Sequence, residues 1–265
     1  MTFERPFSAP ILAPLARPGA HERRMRELFG GDAESVEPVS TPLLLIAFTN
    51  RSGSSLFGEL LVQSGAFAGG GEFLNGDVME KMRQETQAQS LGAHITALAR
   101  RMVKPGQAFA LKASWDQLAM LARARVPELF GRVRVIHVFR DDAVAQAVSL
   151  SIAHQTGRWS AQQAEGGEPH YDEAQLLSIL ETQAAENARI RAVCSAMGWP
   201  RMLVAYEALV ADPAHHVSQS QRFCGLEPRP YAPRPTNHRK QAGQRNDLFA
   251  ERLHAALRDR VLGAP

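Results

Sequence analysis

The chain alternates short apolar runs with longer segments whose apolar residues recur at helical spacing. Leu43-Leu44-Leu45-Ile46-Ala47-Phe48 is a continuous apolar run between Pro42 and a polar stretch. That is the pattern of a strand buried on both faces of a parallel sheet. Past the polar stretch, Leu56, Phe57, Leu60 and Leu61 fall on one helical face. Asp77 to Met102 reads as one long helix, Ala108 to Lys112 as a strand, and about Trp115 to Ala124 as a helix. Val133 to Phe139 reads as a strand leading into a helix from Asp142 to about Gln155. Gly157, Gly166, Gly167 and Pro169 mark 157–170 as a loop. Asp172 to Met197 is a second long helix, with Asp172 as its N-cap and Gly198 as its stop. Met202 to Tyr206 is the last strand; a short helix from Pro213 to Phe223 and a terminal one from about Asn246 to Val261 follow. Strands alternating with helices predict a three-layer α/β fold with a central, mostly parallel sheet flanked by helices.

Residues 1 to about 40 depart from this alternation. They carry Pro6, Pro10, Pro14 and Pro18 and one short basic helical candidate, His21 to Phe29. The expected organisation is a partly extended N-terminal arm on a single α/β domain spanning 41–265. The formal charge of +3 and a sequence pI near 9.1 suit an anionic ligand, without the charge-dense stripe of a nucleic-acid binder. Two cysteines, Cys194 and Cys224, match no disulfide framework or metal site and read as buried small hydrophobes. Leu43 to Phe48 is too short by a factor of about three to span a bilayer. The first twenty residues lack the apolar stretch of a secretory signal, so the expected compartment is the cytoplasm. No His, Cys, Asp and Glu cluster has metal spacing, and no metal is expected.

The polar stretch Thr49-Asn50-Arg51-Ser52-Gly53-Ser54-Ser55 carries the first chemistry. Between a buried strand and a helix, small residues and a glycine let backbone N–H groups turn inward, and the helix start adds partial positive charge. Arg51 adds a full charge on a fork suited to phosphate or sulfate oxygens. The segment is therefore a phosphate-cradling, P-loop-like turn. It is not a Walker A loop: with Gly53 as the second glycine, Phe48 stands at the first and Ser54 at the lysine. Nor is a second glycine spaced for the dinucleotide fingerprint.

A second cluster follows the strand ending at Phe139. Arg140 sits at the strand end, and a helix starting at Asp142 sets Asp142, Gln146 and Ser149 on one face. Arg140 and Ser149 are thus placed to grip one anion together.

With both clusters in view, the sequence resembles the sulfotransferases that use 3′-phosphoadenosine 5′-phosphosulfate (PAPS). Its nearer likeness is to their bacterial carbohydrate branch, the trehalose sulfotransferase-like family, and a weaker one is to Nod-factor sulfotransferases. The likeness runs over roughly residues 42–260. It is carried by Arg51 to Leu56, Gly69-Gly70-Gly71-Glu72-Phe73, Lys112 to Trp115, Gln146 to Ser149, Gln155-Thr156-Gly157-Arg158-Trp159, Tyr206-Glu207 with Asp212-Pro213, and Lys240-Gln241-Ala242 before Asn246. The chain departs from that family at Arg140-Asp141-Asp142-Ala143, where a basic pair and a lysine are usual, and at Glu72-Phe73-Leu74, where Glu-Tyr-Phe is usual.

The resemblance implies sulfuryl transfer from PAPS, as co-substrate and without a metal, to a hydroxyl of a carbohydrate or glycolipid acceptor, in a possible homodimer with no nucleic-acid partner and no stable membrane insertion. It places Arg51, Ser52, Gly53, Ser54 and Ser55 on the 5′-phosphosulfate, and Arg140, Ser149, Lys240 and Gln241 on the 3′-phosphate. Arg51 also stabilises the developing charge, and Glu72 is the candidate base, ahead of His154. Trp159 is a candidate sugar-stacking face, and Lys112 a candidate contact on the sulfate side. His137, inside an apolar strand, reads as a satisfied core residue. The competing readings are a degenerate P-loop kinase, which Ser54 in the lysine position disfavours, and a non-catalytic nucleotide-binding module.

Overall fold

The structure, a computed structural model, describes residues 11–30, 36–159, 166–236 and 243–263. Five strands, β1 (Val39–Phe48), β2 (Phe67–Gly71), β3 (Ala108–Ala113), β4 (Phe130–Phe139) and β5 (Arg201–Ala205), form one sheet in the order β2-β3-β1-β4-β5. Every pairing is parallel. The helices of the described residues are α1 (Ala20–Phe29), α2 (Ser54–Gln63), α3 (Gly76–Thr86), α4 (Leu91–Met102), α5 (Trp115–Arg123), α6 (Ala143–Thr156), α7 (Glu173–Ala196), α8 (Tyr206–Ala211), α9 (Pro213–Phe223) and α10 (Gln244–Leu262).

The apolar run that opens the pattern becomes the central strand, with Leu43 to Ala47 no more than 1% exposed. Its side chains alternate between two cores, as strand geometry requires. Leu43, Leu45 and Ala47 join residues of α1, α3, α4, α5 and α7, whereas Leu44 and Ile46 join those of α2, α8 and α9. A third apolar cluster ties α6 to α7 and α10. The result is the expected three-layer, P-loop-like α/β architecture. Cys194 and Cys224 are free and buried, and burial pushes their thiols up to about 11 and about 12, which leaves them as small hydrophobes. No helix of the described residues is long and apolar enough to cross a membrane.

Two features depart from the apolar pattern. The helix expected over Asp77 to Met102 is broken into α3 and α4. Gln87 ends α3 in a left-handed conformation (φ 52°), and Ser90 Oγ accepts from the Ala93 N–H at 3.1 Å to start α4. The break re-aims the chain so that Ile95, Leu98 and Ala99 are fully buried. The second departure is β2, whose Phe67-Ala68-Gly69-Gly70-Gly71 carries too few side chains to announce a strand. Pairing with β3 supplies the order. The glycines there permit close packing, since a Cβ built on Gly58 of α2 would stand 2.4 Å from the carbonyl oxygen of Gly70.

The N-terminal helix α1 is fixed from two sides. Met25, Leu28 and Phe29 enter the core. Glu22, 1% exposed, accepts from Arg26 at 2.8 Å and from Arg123 of α5 at 2.7 Å. Burial alone would raise its pKa; the bonds from Arg123 and Arg26 outweigh that and hold it below the usual carboxylate range.

Gly58→Ala is expected to lower unfolding stability by about 1–3 kcal/mol through overpacking of α2 on β2. Denaturant unfolding checks this, and an unchanged midpoint would contradict the close approach.

Candidate active site

The turn after β1 opens at the carboxyl end of the sheet's central strand, between neighbours β3 and β4, where open α/β sheets place ligands. The Ser52 N–H donates to the Thr49 carbonyl at 3.2 Å, and both Arg51 (φ 65°) and Gly53 (φ 89°) are left-handed. At Gly53 a side chain is excluded twice, by that φ and by Tyr206, whose Cδ2 would lie 2.3 Å from a Cβ. The N–H groups of Gly53, Ser54, Ser55 and Leu56 open α2 and have no acceptor within the helix. These residues line a cleft of about 1040 Å³. Ser52 Oγ is fully buried and has no hydrogen-bond partner among the described residues, beside this helix start.

Helix α6 holds the turn in shape. Gln146, 2% exposed, donates through Nε2 to Thr49 Oγ1 at 2.9 Å and to the Asn50 carbonyl at 2.8 Å. One turn on, Ser149 Oγ accepts from Arg51 Nε at 3.0 Å. The expected face of α6 is therefore used by Gln146 and Ser149, while Asp142 serves as N-cap, accepting from the Ala145 N–H at 2.8 Å. Arg51 also donates to the Trp159 carbonyl at 2.8 Å.

Arg140 lies on the same cleft. Its Nε is 3.6 Å from Glu207 Oε1, and its guanidinium is 4.8 Å from the centre of the Tyr206 ring. Glu207 also accepts from the N–H groups of Asp141 and Asp142 at 3.1 and 3.5 Å, so it fixes the strand end that carries Arg140. Burial first, and then the charge of Arg140, pull the Arg51 pKa down. Two partly desolvated guanidiniums that repel one another beside a helix start make an anion-binding arrangement.

A second group lines the same cleft. Lys112 of β3, 3% exposed, donates to Ser55 Oγ at 2.7 Å and to Glu72 Oε1 at 2.5 Å, with Nζ 4.5 Å from the Phe48 ring centre. Burial lowers its pKa and the Glu72 carboxylate opposes that shift. The ammonium missing from the loop sequence is thus present in space, supplied by another strand. Beyond Glu72, His21 Nδ1 is 2.8 Å from Asp116 Oδ2, and Ser114 Oγ is 2.5 Å from Asp116 Oδ1. Glu186 completes this wall. Burial, then the charge of Asp116, raise its pKa, against the charge of Arg189 and a bond from Trp115.

Of the residues singled out from sequence, Arg51, Gly53, Ser54, Ser55, Glu72, Lys112, Arg140, Ser149 and Trp159 line this one cleft. Ser52, in the same loop, is fully buried and does not line the cleft. Lys240 and Gln241 lie outside the described residues. Trp159 is 45% exposed, with its ring 5.3 Å from that of His154. His137 is a core residue: Nε2 is 2.8 Å from Asn187 Oδ1, Nδ1 is 3.1 Å from Arg201, and burial pushes its pKa down to about 4. Sequence reasoning missed His21, Asp116 and Glu186. His21 and Asp116 are 95 positions apart, and only the docking of α1 on α5 joins them.

A family model described as Stf0 sulphotransferase matches residues 44–256, most of the chain. No curated protein matches. Among solved structures, the chain is similar to the sulfotransferase domain from the Synechococcus PCC 7002 olefin synthase, with 12% identity over 84% of this chain and 98% of that one and a TM-score of 0.45. It is also similar to the sulfotransferase domain from the curacin biosynthetic pathway, with 14% identity over 80% and 83% of the two chains and a TM-score of 0.44.

Inorganic pyrophosphate is expected to raise the melting temperature of the wild-type chain by filling the loop between the two guanidiniums. In Gly53→Ala the left-handed backbone and the clash with Tyr206 cost about 1–2 kcal/mol or more and distort the loop, so the pyrophosphate-induced rise should largely vanish. A rise of equal size in the variant would show that the loop does not hold the anion.

Proposed function

The chain belongs to the Stf0 sulphotransferase family, and on that premise we propose that it moves a sulfuryl group from PAPS to a hydroxyl of a carbohydrate or glycolipid acceptor. The observation that carries this reading is the convergence on one cleft of the helix start after β1, Arg51, Arg140 and the Lys112–Glu72 pair. A donor with an anion at each end matches a site with a cation toward each end. In this reading Arg51 and the N–H groups of Gly53 to Leu56 hold the 5′-phosphosulfate. Arg140 takes the 3′-phosphate, and the family resemblance assigns Lys240 and Gln241 to the same group. Ser149, expected on the 3′-phosphate, is engaged by Arg51 Nε at 3.0 Å and holds that guanidinium in place.

The acceptor hydroxyl gives its proton to Glu72 as its oxygen attacks sulfur. The bond from sulfur to the 5′-phosphate oxygen breaks, and the electron pair leaves on adenosine 3′,5′-bisphosphate. Lys112 compensates charge on the transferring group, since it already bridges Glu72 and the loop hydroxyl of Ser55. By analogy with phosphoryl transfer, the protein's part is positioning and charge compensation. Trp159, exposed at the cleft mouth, offers an aromatic face to a sugar ring. The reading treats residues 41–265 as one domain and the preceding segment as an arm, in a cytoplasmic and possibly dimeric enzyme.

Adenosine 3′,5′-bisphosphate should raise the melting temperature, whereas ATP with Mg²⁺ should not; the reverse pattern would overturn the donor assignment. Glu72→Gln should lose roughly 10²–10⁴-fold in turnover while keeping the bisphosphate-induced stabilisation. Full turnover in that variant would place the base elsewhere.

A further inference from the structure

The cleft has a wall that the proposed transfer does not use. It is built by His21 of α1, Asp116 of α5 and Glu186 of α7, with Trp115 beside them. His21 comes from outside residues 44–256, the span matched by the family model. Its helix is nevertheless firmly anchored. Glu22, the next residue, is buried between Arg26 and Arg123, and Met25 and Leu28 seat the helix in the core. Asp116 accepts from His21 on one oxygen and from Ser114 on the other. With Nδ1 committed to Asp116, the imidazole has Nε2 left for the cleft that it lines, and its side chain is 36% exposed.

We propose that His21, oriented by Asp116, donates an Nε2–H hydrogen bond to an oxygen of the hydroxylated acceptor and positions it against Glu72. This rests on the sulfotransferase reading given above. The charges facing His21 define what it would hold. Asp116 adjoins it, Glu72 faces it, and Glu186 faces Asp116; the nearby cations Lys112 and Arg189 are engaged with Glu72 and with the Trp115 ring. The wall is thus rich in carboxylate acceptors around one imidazole donor. A neutral polyhydroxyl compound, with many O–H donors and some acceptor oxygens, satisfies both. A polyanionic acceptor does not, because it would meet Glu72, Asp116 and Glu186 together.

The pH dependence has a definite sign. The bond to Asp116, opposed by burial and helped by the charges of Asp116 and Glu72, holds the His21 pKa above its ordinary value. Below that pKa the imidazolium donates from both nitrogens. Above it the remaining proton stays on Nδ1 toward Asp116, and Nε2 becomes an acceptor. An acceptor hydroxyl can then donate to Nε2, but the charge-assisted bond is lost, so the acceptor KM should rise as pH rises through the titration of His21.

The test uses radiolabelled PAPS with trehalose and a panel of methyl glycosides, alongside stabilisation by adenosine 3′,5′-bisphosphate as a measure of donor binding. His21→Ala should raise the acceptor KM roughly tenfold or more, the loss of one charge-assisted bond, with bisphosphate stabilisation unchanged. His21→Gln keeps an amide donor near the Nε2 position and cannot titrate, so its KM should stay low and flat with pH. Asp116→Asn should move the wild-type inflection to lower pH. An acceptor KM in His21→Ala equal to wild type, or a parallel loss of bisphosphate stabilisation, would overturn the proposal. Bisphosphate stabilisation with no wild-type transfer to any panel sugar would instead overturn the carbohydrate reading on which it rests.

Discussion

The site depends on one side-chain amide. Gln146 uses both hydrogens of Nε2, one on Thr49 Oγ1 and one on the Asn50 carbonyl, and so ties the turn after β1 to α6. The turn has two left-handed residues, Arg51 and Gly53, and is held further by the Ser52 N–H to the Thr49 carbonyl and by Gln183 Nε2 to the Asn50 carbonyl at 3.4 Å. The bond from Gln146 to Thr49 is buried, so leaving either partner unmatched would cost the full desolvation of a polar group. Ser149, one turn farther along α6, extends the same logic to the Arg51 side chain. Helix α6 is itself positioned by the end of β4, where Glu207 gathers Arg140 and the N–H groups of Asp141 and Asp142. The segments that carry Arg51 and Arg140 are therefore mechanically one unit.

That unit accounts for how a P-loop-like turn works without its lysine. The sequence places Ser54 at the lysine position, but β3 lies beside β1 and brings Lys112 to within 2.7 Å of Ser55 Oγ. A cation supplied from a neighbouring strand sits between the loop and Glu72. In the proposed transfer this separates the roles. One side grips the nucleotide, and the other handles the sulfuryl group and the proton. Stf0 family membership and this arrangement point to the same chemistry.

Most of the sheet is legible in the chain because its strands are buried on both faces. Leu43 to Phe48 is an apolar run, Ala108 to Lys112 and Val133 to Phe139 are predominantly apolar, and each proves to be a strand. β2 is not legible, because Gly69, Gly70 and Gly71 are chosen for close approach to α2 and not for strand propensity. The break between α3 and α4 is hidden for a related reason: Gln87 adopts a left-handed conformation that its residue type does not advertise. Local motifs found the residues around the loop and the strand end. The wall of His21, Asp116 and Glu186 could not be found that way, because these residues meet only through the docking of α1 and α7 on α5.

The central claim is that Arg51 with its loop and Arg140 with its strand end hold two different anions of one nucleotide. Calorimetric titration of adenosine 3′,5′-bisphosphate and of adenosine 5′-monophosphate tests it directly, in the wild type and in Arg140→Leu. The wild type should prefer the bisphosphate by roughly tenfold or more, the worth of one charge-assisted phosphate contact, and the variant should lose that preference while still binding the monophosphate. Equal wild-type affinity for the two nucleotides, or a preference that survives in Arg140→Leu, would contradict the account.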